Sequence, residues 1–301
     1  MHVLVTGSSG LVGKSLLETL RKDAHSVTVL LRPQTKIPVD FKFGRIPWDP
    51  DQDRIDSGSL HRIDAVVNLA GENIAGGRWT ASRKRAIRES RVRGTRLLSE
   101  TIAKMTPPPR VLVSASAIGY YGDRGQELLT EDSAPGSDFL SRVCQDWEAA
   151  TAPAEQAGIR VVHLRTGLVL SSRGGALSKM LLPFKLGLGG RVGPGSQFMS
   201  WITLEDEVRA ILFALQDESL AGPVNAVAPQ PVINAEFTRR LGKALSRPTI
   251  FPMPAFAARL AFGEMADALL LSSTRVHPAR LESAGFAFKH TELDDGLRAA
   301  L

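Results

Sequence analysis

The sequence predicts an α/β protein with a doubly wound parallel sheet and a small C-terminal lobe. Three observations lead to this prediction. A strand, a glycine-rich turn and a helix open the chain; short apolar strands then alternate with helical segments as far as residue 170; and glycines cluster beyond Ser171. We therefore assign residues 1–170, with a returning strand near 223–228, to the sheet domain, and residues 171–301 mainly to the lobe.

The opening strand, turn and helix carry the first functional prediction. Val3, Leu4 and Val5 indicate a strand, and glycines follow at positions 7, 10 and 13. In such a turn one glycine reverses the backbone, one lets a phosphate approach the peptide N–H groups, and one lets the helix pack closely on the strand. The helix N-terminus then offers free N–H groups to a diphosphate. A turn without a ligand is the alternative to a Rossmann dinucleotide site. The residues predicted to contact the dinucleotide are Thr6, Gly7, Ser9, Gly10, Leu11, Val12 and Gly13.

The end of the second predicted strand, residues 25–31, indicates which dinucleotide binds. Arg32 follows that strand, where an NAD site places Asp or Glu to hold the ribose hydroxyls. Positions 24–39 contain no acidic residue. Because arginine forms charge-assisted hydrogen bonds with a 2′-phosphate, NADP is favoured over NAD as the cofactor. The alternative is an arginine in a solvated loop.

Composition excludes several classes of protein. With 43% hydrophobic residues in 301, the chain can bury a large core. No apolar run is long enough for a bilayer and no charged segment precedes the first apolar stretch, so we expect no membrane association, no secretion signal and a cytoplasmic location. The chain has a single cysteine, Cys144, and its histidines are not spaced as metal ligands are. We therefore expect no metal site. An acidic ligand such as NADP is a sufficient partner for the net charge of +6, so this charge does not indicate nucleic-acid binding.

The next stretch is the hardest to interpret, and a clear strand follows it. Residues 33–64 are rich in proline and aspartate, with a weak strand around residues 41–43. Residues 63–71 are predicted to form a buried strand that ends in small residues. Because the carboxyl ends of strands line the ligand crevice of a doubly wound sheet, this end is placed beside the cofactor. The residues concerned are Asn68, Leu69, Ala70, Gly71 and Glu72.

A long basic helix is predicted over residues 80–104. Its polar faces carry many arginines, which could form a stripe that binds anions or nucleic acid. No aromatic residues are interleaved, and Glu89 and Glu100 interrupt the positive charge. A solvated helix face is therefore favoured over a nucleic-acid surface.

Three further elements complete the first domain. Residues 110–116 indicate a strand, residues 138–157 a helix ended by Gly158, and residues 159–165 another strand. His163 alternates with apolar neighbours in the last of these strands, so we expect an interior histidine with satisfied hydrogen bonds.

Several motifs together resemble a known family. They are Thr6-Gly-x-x-Gly-x-x-Gly13, Asn68-Leu-Ala-Gly-Glu72, the serine-rich strand end 114–116 with a Tyr-Gly after it, and Trp201-Ile202 with Asp206. This set resembles the extended short-chain dehydrogenase/reductase family. Three more motifs are Val143-Cys-x-x-Trp-Glu148, Leu182-Pro-Phe-x-x-Gly-Leu-Gly-Gly190 and Asn225-Ala-Val-Ala-Pro229. They are similar to an atypical branch of that family, the NAD-dependent epimerase/dehydratase-like proteins. This branch is often labelled "epimerase family" and was once likened to a cell-division inhibitor. The likeness covers essentially the whole chain. It implies further cofactor contacts at Ser114, Ala115, Arg165, Gly167 and Leu168.

The catalytic residues implied by this resemblance are only partly present. Ordinary members pair a serine with Tyr-x-x-x-Lys, in which a nearby cation lowers the pKa of the tyrosine so that it can exchange a proton. Ser116 matches the serine, but Leu140 and Cys144 stand at the places of the pair when the chain is aligned on Glu148. Cys144 is favoured as a small hydrophobic residue rather than a nucleophile.

The chain has two tyrosines, and either could take over the catalytic role. Tyr120 and Tyr121 follow the strand end that bears Ser116, which makes all three the catalytic candidates. Packing of both tyrosines in the core, with hydrogen bonds from their hydroxyls, is the favoured alternative.

The glycine-rich region beyond Ser171 begins the lobe that the resemblance assigns to substrate binding. Its candidate wall residues are Lys185, Arg191, Gln197 and Trp201. One hypothesis is an NADP-dependent oxidoreductase or epimerase that acts on an unidentified small polar or sugar-like molecule. The other is an NADP-binding sensor or interaction protein without standard short-chain dehydrogenase chemistry. The sequence leaves open whether the chain is a monomer or a homodimer; the family often pairs through the helices equivalent to residues 80–104 and 138–157.

Overall fold

One eight-stranded sheet organises the molecule. The computed structural model describes residues 1–35 and 42–301. The strands are β1 His2–Thr6, β2 Ser26–Leu31, β3 Gly44–Asp49, β4 Arg54–Ile55, β5 Ala65–Asn68, β6 Val111–Ala117, β7 Leu128–Leu129, β8 Arg160–Thr166, β9 Leu168–Leu170, β10 Phe198–Met199, β11 Trp201–Thr203, β12 Gly222–Ala226, β13 Val232–Ile233 and β14 Arg275–Val276. Their order in the main sheet is β12-β8-β6-β5-β1-β2-β3-β4, and every pair is parallel except β3 with β4.

Helices cover both faces of this sheet and build the lobe. They are α1 Leu11–Lys22, α2 Ala81–Ala103, α3 Phe139–Ala149, α4 Ala152–Gln156, α5 Gly175–Lys185, α6 Leu204–Gln216, α7 Asn234–Ala244, α8 Ala255–Phe262, α9 Glu264–Ala266, α10 Ala279–Ser283 and α11 Leu293–Ala300. The predicted fold, a doubly wound parallel sheet of the Rossmann type with a small C-terminal lobe, is confirmed. Among the described residues no helix has both the length and the apolar character to cross a membrane.

The central strands are apolar throughout because both of their faces are buried. Val3 and Val5 join the core that contains α1 and α6, whereas Leu4 points to the opposite core, which contains α2. Successive strand residues alternate between faces, so each face receives its own hydrophobic layer. This geometry brings the carboxyl ends of β1, β5, β6 and β8 to one edge of the sheet, where the site lies.

Three predicted elements differ in the structure. The helix expected over 138–157 is two helices, α3 and α4, because Pro153 lacks the N–H needed to continue the first one. The weak strand expected around residues 41–43 begins outside the described residues, and the observed strand is β3. The strand expected to return near 223–228 is β12, which pairs with β8.

The core of the lobe contains a residue that was expected to face substrate. Trp201 is fully buried among the apolar residues of α5, α7 and α11, and its indole N–H donates to the Gln230 carbonyl at 3.0 Å. Gln197 is also buried, with its amide bonded to the Val192 and Leu270 carbonyls. The expectation that Trp201 lines the substrate wall is therefore wrong. The Gln197 amide oxygen has no partner among the described residues, and its place in the wall stays a prediction. Lys185 and Arg191 are exposed.

Glu207 is an ionisable group buried in the sheet domain. It lies on α6 with only 2% of its surface exposed, and Thr166 donates a hydrogen bond to its Oε1 at 2.7 Å. Its Oε2 has no partner among the described residues. Burial raises the pKa of Glu207 to about 8, against the smaller opposing effect of the Thr166 hydrogen bond. The folded protein therefore holds this carboxyl in its neutral form at neutral pH.

This burial predicts a pH dependence of stability. Between a pKa of 4.5 in the unfolded chain and about 8 in the folded chain, the folded state binds the extra proton. The stabilisation that the neutral Glu207 carboxyl provides is complete below pH 4.5 and is lost as the pH rises to about 8. The free energy of unfolding falls over this range by at most about 1.4 kcal/mol per pH unit. We expect the free energy of unfolding of the wild type, measured with urea from pH 5 to 9, to fall relative to that of Glu207→Gln up to about pH 8.

The exposed neighbour Glu205 provides the matched control. Its carboxylate pairs with Lys289 at 2.7 Å on the surface, so Glu205→Gln should leave the shape of the pH curve unchanged. Parallel pH curves for the wild type and Glu207→Gln would contradict the prediction.

Candidate functional site

The glycine turn after β1 has the shape that a diphosphate needs. Gly7 has a φ of +66°, and a Cβ there would collide with the Leu69 carbonyl oxygen. A Cβ on Gly13 would collide with the carbonyl of Gly7, so helix and strand approach as closely as backbone allows. The helix that follows begins at Leu11 behind Gly10, with no side-chain cap and no acidic residue in its first turn. Its N-terminal N–H groups are left for an anion, and the turn fits the cofactor that the fold implies.

Arg32 lies beside this turn. The parallel register pairs Val5 with Val29, so the residues just beyond β1 and β2 are neighbours at the carboxyl edge. Arg32 is half-buried, and within the described parts of the chain its guanidinium has no hydrogen bond or ion pair. A cation in this place is available to a ligand phosphate.

A buried hydrogen-bond network holds the ends of β1, β5 and β6 together. Thr6 donates to Asn68 Oδ1 at 2.7 Å, and the Asn68 amide donates to Thr95 at 2.8 Å and to Ser114 at 3.2 Å. The hydroxyl oxygen of Thr6 also accepts the N–H groups of residues 69 and 70. Trp147 donates to Thr95 at 2.9 Å. These side chains set the shape of the crevice; their direct contact with a dinucleotide stays a prediction.

Beyond β5 the chain enters the crevice through Gly71 and Glu72. The Glu72 carboxylate pairs with Arg83 of α2 at 2.9 Å. The backbone N–H of Glu72 donates to the Ser90 hydroxyl at 3.1 Å. The Glu72 side chain is thus tied to the helix, and its predicted cofactor contact also stays untested. Ser9 and Gly10 are exposed at the mouth of the turn, and Leu11 and Val12 are half-buried behind it.

Ser116 belongs to a second buried network, built on an ion pair. Its hydroxyl donates to Glu148 Oε1 at 2.6 Å. Arg165 binds the same carboxylate through two hydrogen bonds of 2.8 Å, and the two side chains are only 3% and 10% exposed. Burial lowers the pKa of Arg165, but the hydrogen bonds and charge of Glu148 outweigh this and raise it overall. Arg165 therefore serves as the permanent counter-ion of Glu148, which orients Ser116.

The two tyrosines pack around Arg165. The Arg165 guanidinium carbon lies 3.4 Å from the centre of the Tyr120 ring. Tyr121 is fully buried; its hydroxyl donates to Asn225 at 2.7 Å and accepts from Arg165 at 3.0 Å. Burial raises the pKa of Tyr121 to about 12, with smaller opposing effects from Arg165 and Asn225. A phenol with both hydrogen bonds committed and a high pKa is poorly suited to proton exchange, and the packing interpretation explains its contacts.

Leu140 lies at the position where the resemblance places the catalytic tyrosine. It is 9% exposed and packs in an apolar cluster with Trp79, Ile87 and Met265, which joins α2 and α3 to α9 of the lobe. Cys144 is buried one turn later on α3, and burial raises the pKa of its thiol to about 12, assisted by the charge of Glu148. The thiol therefore stays protonated at neutral pH, as expected for a buried hydrophobic residue.

The exit of β8 closes the other side of the crevice. The Gly167 N–H donates to the Ala226 carbonyl at 3.0 Å, and the Leu168 N–H donates to the Ser200 carbonyl at 2.8 Å. A Cβ on Gly167 would lie 2.6 Å from the Ser200 carbonyl oxygen, so only glycine fits beside the segment that contains Ser200. Ala115 lies on β6 opposite Leu164 of β8. The predicted cofactor residues from five strands thus gather at one edge of the sheet.

Two features of this region were not predicted. They are the ion pair of Glu148 with Arg165 and the half-buried position of Arg91 on α2. Their signal was weak because an acid or an arginine on a helix is usually solvated. His163 fits expectation: burial lowers its pKa, and its ring lies 2.9 Å from the Thr151 hydroxyl. In the described ranges, 1–35 and 42–301, no cluster of three potential metal ligands is found.

Comparisons with known proteins agree with this geometry. The family model for the NAD-dependent epimerase/dehydratase family matches residues 3–227, and one for a domain of unknown function (DUF1731) matches residues 253–300. An epimerase family protein of Mycobacterium leprae is 44% identical over 99% of this chain and 95% of its own length. The crystal structure of human epimerase family protein SDR39U1 (isoform 2) with NADPH has a TM-score of 0.90 at 35% identity, covering 100% of this chain and 99% of the human one. A nucleoside-diphosphate sugar epimerase from Corynebacterium glutamicum has a TM-score of 0.81 at 39% identity and covers 100% of this chain and 58% of its own.

The buried ion pair predicts a large loss of stability in Arg165→Gln. Removing the guanidinium leaves the Glu148 carboxylate buried without a counter-ion, which costs about 3 kcal/mol or more. Urea unfolding would measure the change. Arg298→Gln removes a surface pair in which the arginine is 74% exposed, and it should change stability by less than about 0.5 kcal/mol. Equal small effects in both variants would contradict the role given to Arg165.

Proposed function

The chain belongs to the NAD-dependent epimerase/dehydratase family and is an NAD(P)-binding protein, and from that premise we propose that its cofactor is NADPH. The observation that carries this proposal is the uncapped N-terminus of α1, which follows Gly7 and Gly10 and has Gly13 in its first turn, with the Arg32 guanidinium beside it, unpaired among the described residues. The turn offers N–H groups to the diphosphate. Arg32 offers a charge-assisted hydrogen bond to the 2′-phosphate, and positions 24–39 of the sequence contain no acidic residue that could hold a free 2′-hydroxyl. A human relative was crystallised with NADPH, which supports the same choice.

We propose that the reaction is an oxidation, reduction or epimerisation of a small polar or sugar-like substrate. The bound cofactor would supply or accept hydride at its nicotinamide ring. The Ser116 hydroxyl donates its hydrogen bond to Glu148, which leaves the lone pairs of its oxygen to accept a hydrogen bond from a substrate hydroxyl that is being oxidised. Arg165 keeps Glu148 ionised, so this acceptor role is fixed. The chain thereby orients the oxygen of a substrate next to the hydride-transfer position.

A second candidate function is NADPH sensing without turnover. It is favoured by the apolar packing of Leu140 and by the buried thiol of Cys144, because neither can exchange a proton at neutral pH. Tyr121, with its pKa of about 12 and two committed hydrogen bonds, does not replace the missing acid. A protein of this kind would bind the cofactor and signal its presence through the lobe, whose Met265 packs against α2 and α3.

Cofactor turnover distinguishes the two candidates. We expect NADP⁺ to be reduced with at least one member of a panel of sugars and other alcohols, the direction in which a substrate hydroxyl donates to Ser116. Hydride would pass from the carbon that bears the hydroxyl to NADP⁺, the hydroxyl proton would be released to solvent, and NADPH absorbance would follow the reaction. Ser116→Ala should lower kcat about a hundredfold, because it removes the group that orients the substrate oxygen, while NADPH affinity stays within about twofold. The control Ser178→Ala changes an exposed hydroxyl on α5 and should leave kcat unchanged. Absence of turnover with every substrate, at full NADPH affinity, would leave the sensor as the remaining function.

The preference for NADPH over NADH predicts a specific effect of Arg32→Glu. The reversed charge repels the 2′-phosphate, so calorimetric titration should show a loss of about a hundredfold in NADPH affinity and a much smaller change for NADH. Arg21→Glu, at the far end of α1 and exposed, is the matched control. Equal weakening of both dinucleotides would show that Arg32 does not recognise the 2′-phosphate.

A further inference from the structure

Arg91 differs from the other basic residues of α2. On the same helix, Arg83, Arg88 and Arg93 form ion pairs with Glu72, Asp146 and Asp53, at 2.9, 2.7 and 3.4 Å. The side chains at positions 85 and 96 are exposed. Arg91 is half-buried, and no carboxylate in the described parts of the chain lies within ion-pair distance of it. Its one described hydrogen bond runs from Nη1 to the Ile87 carbonyl at 3.0 Å.

The Arg91 guanidinium is also fixed in position. It lies 5.0 Å from the centre of the Trp147 ring, which supports one side of it. Burial lowers the pKa of Arg91, with Cys144 and Glu72 acting in the opposite direction. A guanidinium has five N–H donors, so most of them are not used by this single protein contact. A cation that is partly removed from water and has no ion-pair partner among the described residues is costly to hold, which indicates that a ligand completes its surroundings.

The position of Arg91 specifies which ligand group it faces. Its guanidinium carbon lies 3.2 Å from the point where a Cβ on Gly71 would stand, so it borders the crevice just beyond β5. In the sheet, β2 with Arg32 lies on one side of β1, and β5 and β6 lie on the other. If Arg32 holds the 2′-phosphate of the adenosine half, the second half of the dinucleotide extends over β5 and β6, toward Gly71 and Ser116.

We propose that Arg91 binds the nicotinamide half of NADPH by donating hydrogen bonds to its ribose-phosphate oxygens. This inference rests on the proposed function, since it requires NADPH in the crevice. It also places a positive charge next to Cys144 of α3. Arg91 of α2 would thus bring a cation to the part of the crevice beside the buried Cys144 thiol, which stays protonated at neutral pH.

The test compares NADPH with a fragment that lacks the nicotinamide half. Calorimetric titration of the full chain would use NADPH and adenosine 2′,5′-bisphosphate, which retains both phosphates of the adenosine half. We expect Arg91→Gln to weaken NADPH binding by at least about tenfold and to leave the affinity for the bisphosphate within about twofold. Arg91→Lys keeps the charge but not the planar donor fork, and it should lose NADPH affinity by an intermediate factor.

The controls separate this inference from folding and from the proposed function. Arg96→Gln changes an exposed arginine of the same helix and should bind both ligands as the wild type does. The melting temperature of each variant, and retained bisphosphate binding, show that the variant is folded. Unchanged NADPH affinity in Arg91→Gln, or equal weakening of both ligands, would overturn the role of Arg91 while the proposed function stands. A wild-type chain that binds neither ligand would overturn the proposed function and this inference with it.

Discussion

The buried pair of Arg165 and Glu148 is the interaction on which the site depends. Two hydrogen bonds of 2.8 Å join a residue of β8 to one of α3 in a place that is almost closed to water. Such a pair tolerates little displacement, because each charge would otherwise be buried alone. Arg165 also donates to Tyr121, whose hydroxyl reaches Asn225 of β12, and Glu148 accepts from Ser116 of β6. One ion pair therefore connects three strands and a helix at the carboxyl edge of the sheet.

This arrangement assigns the polar groups to positioning. The permanent cation of Arg165 holds Glu148 as an acceptor, and Tyr121 is locked with a pKa of about 12. Leu140 fills its position with apolar packing that joins the sheet domain to the lobe. The crevice is consequently well equipped to bind and orient an acidic dinucleotide. Of the three catalytic candidates, Ser116 and Tyr121 have committed hydrogen-bond donors, whereas the Tyr120 hydroxyl makes no hydrogen bond with the described residues.

The fold was largely predictable from sequence, and the site only in part. Buried apolar strands such as the one that contains Val3, and glycines at fixed spacing as at Gly7, follow directly from local physical requirements. Roles that depend on distant contacts did not follow. Trp201 was expected at the substrate wall but lies in the core of the lobe, because an aromatic residue in a glycine-rich region carries no signal of the direction it faces. Arg91 and Glu148 became recognisable only once the fold had placed them beside Gly71 and Ser116.

A crystal structure of the protein grown with NADPH would show directly whether the dinucleotide binds in the crevice at the carboxyl edge of the sheet. We expect the diphosphate on the N–H groups of the turn at residues 7–13, the 2′-phosphate on Arg32 and the nicotinamide ring facing Ser116. Crystals in which NADPH at millimolar concentration leaves this crevice empty, or binds elsewhere on the molecule, would contradict it.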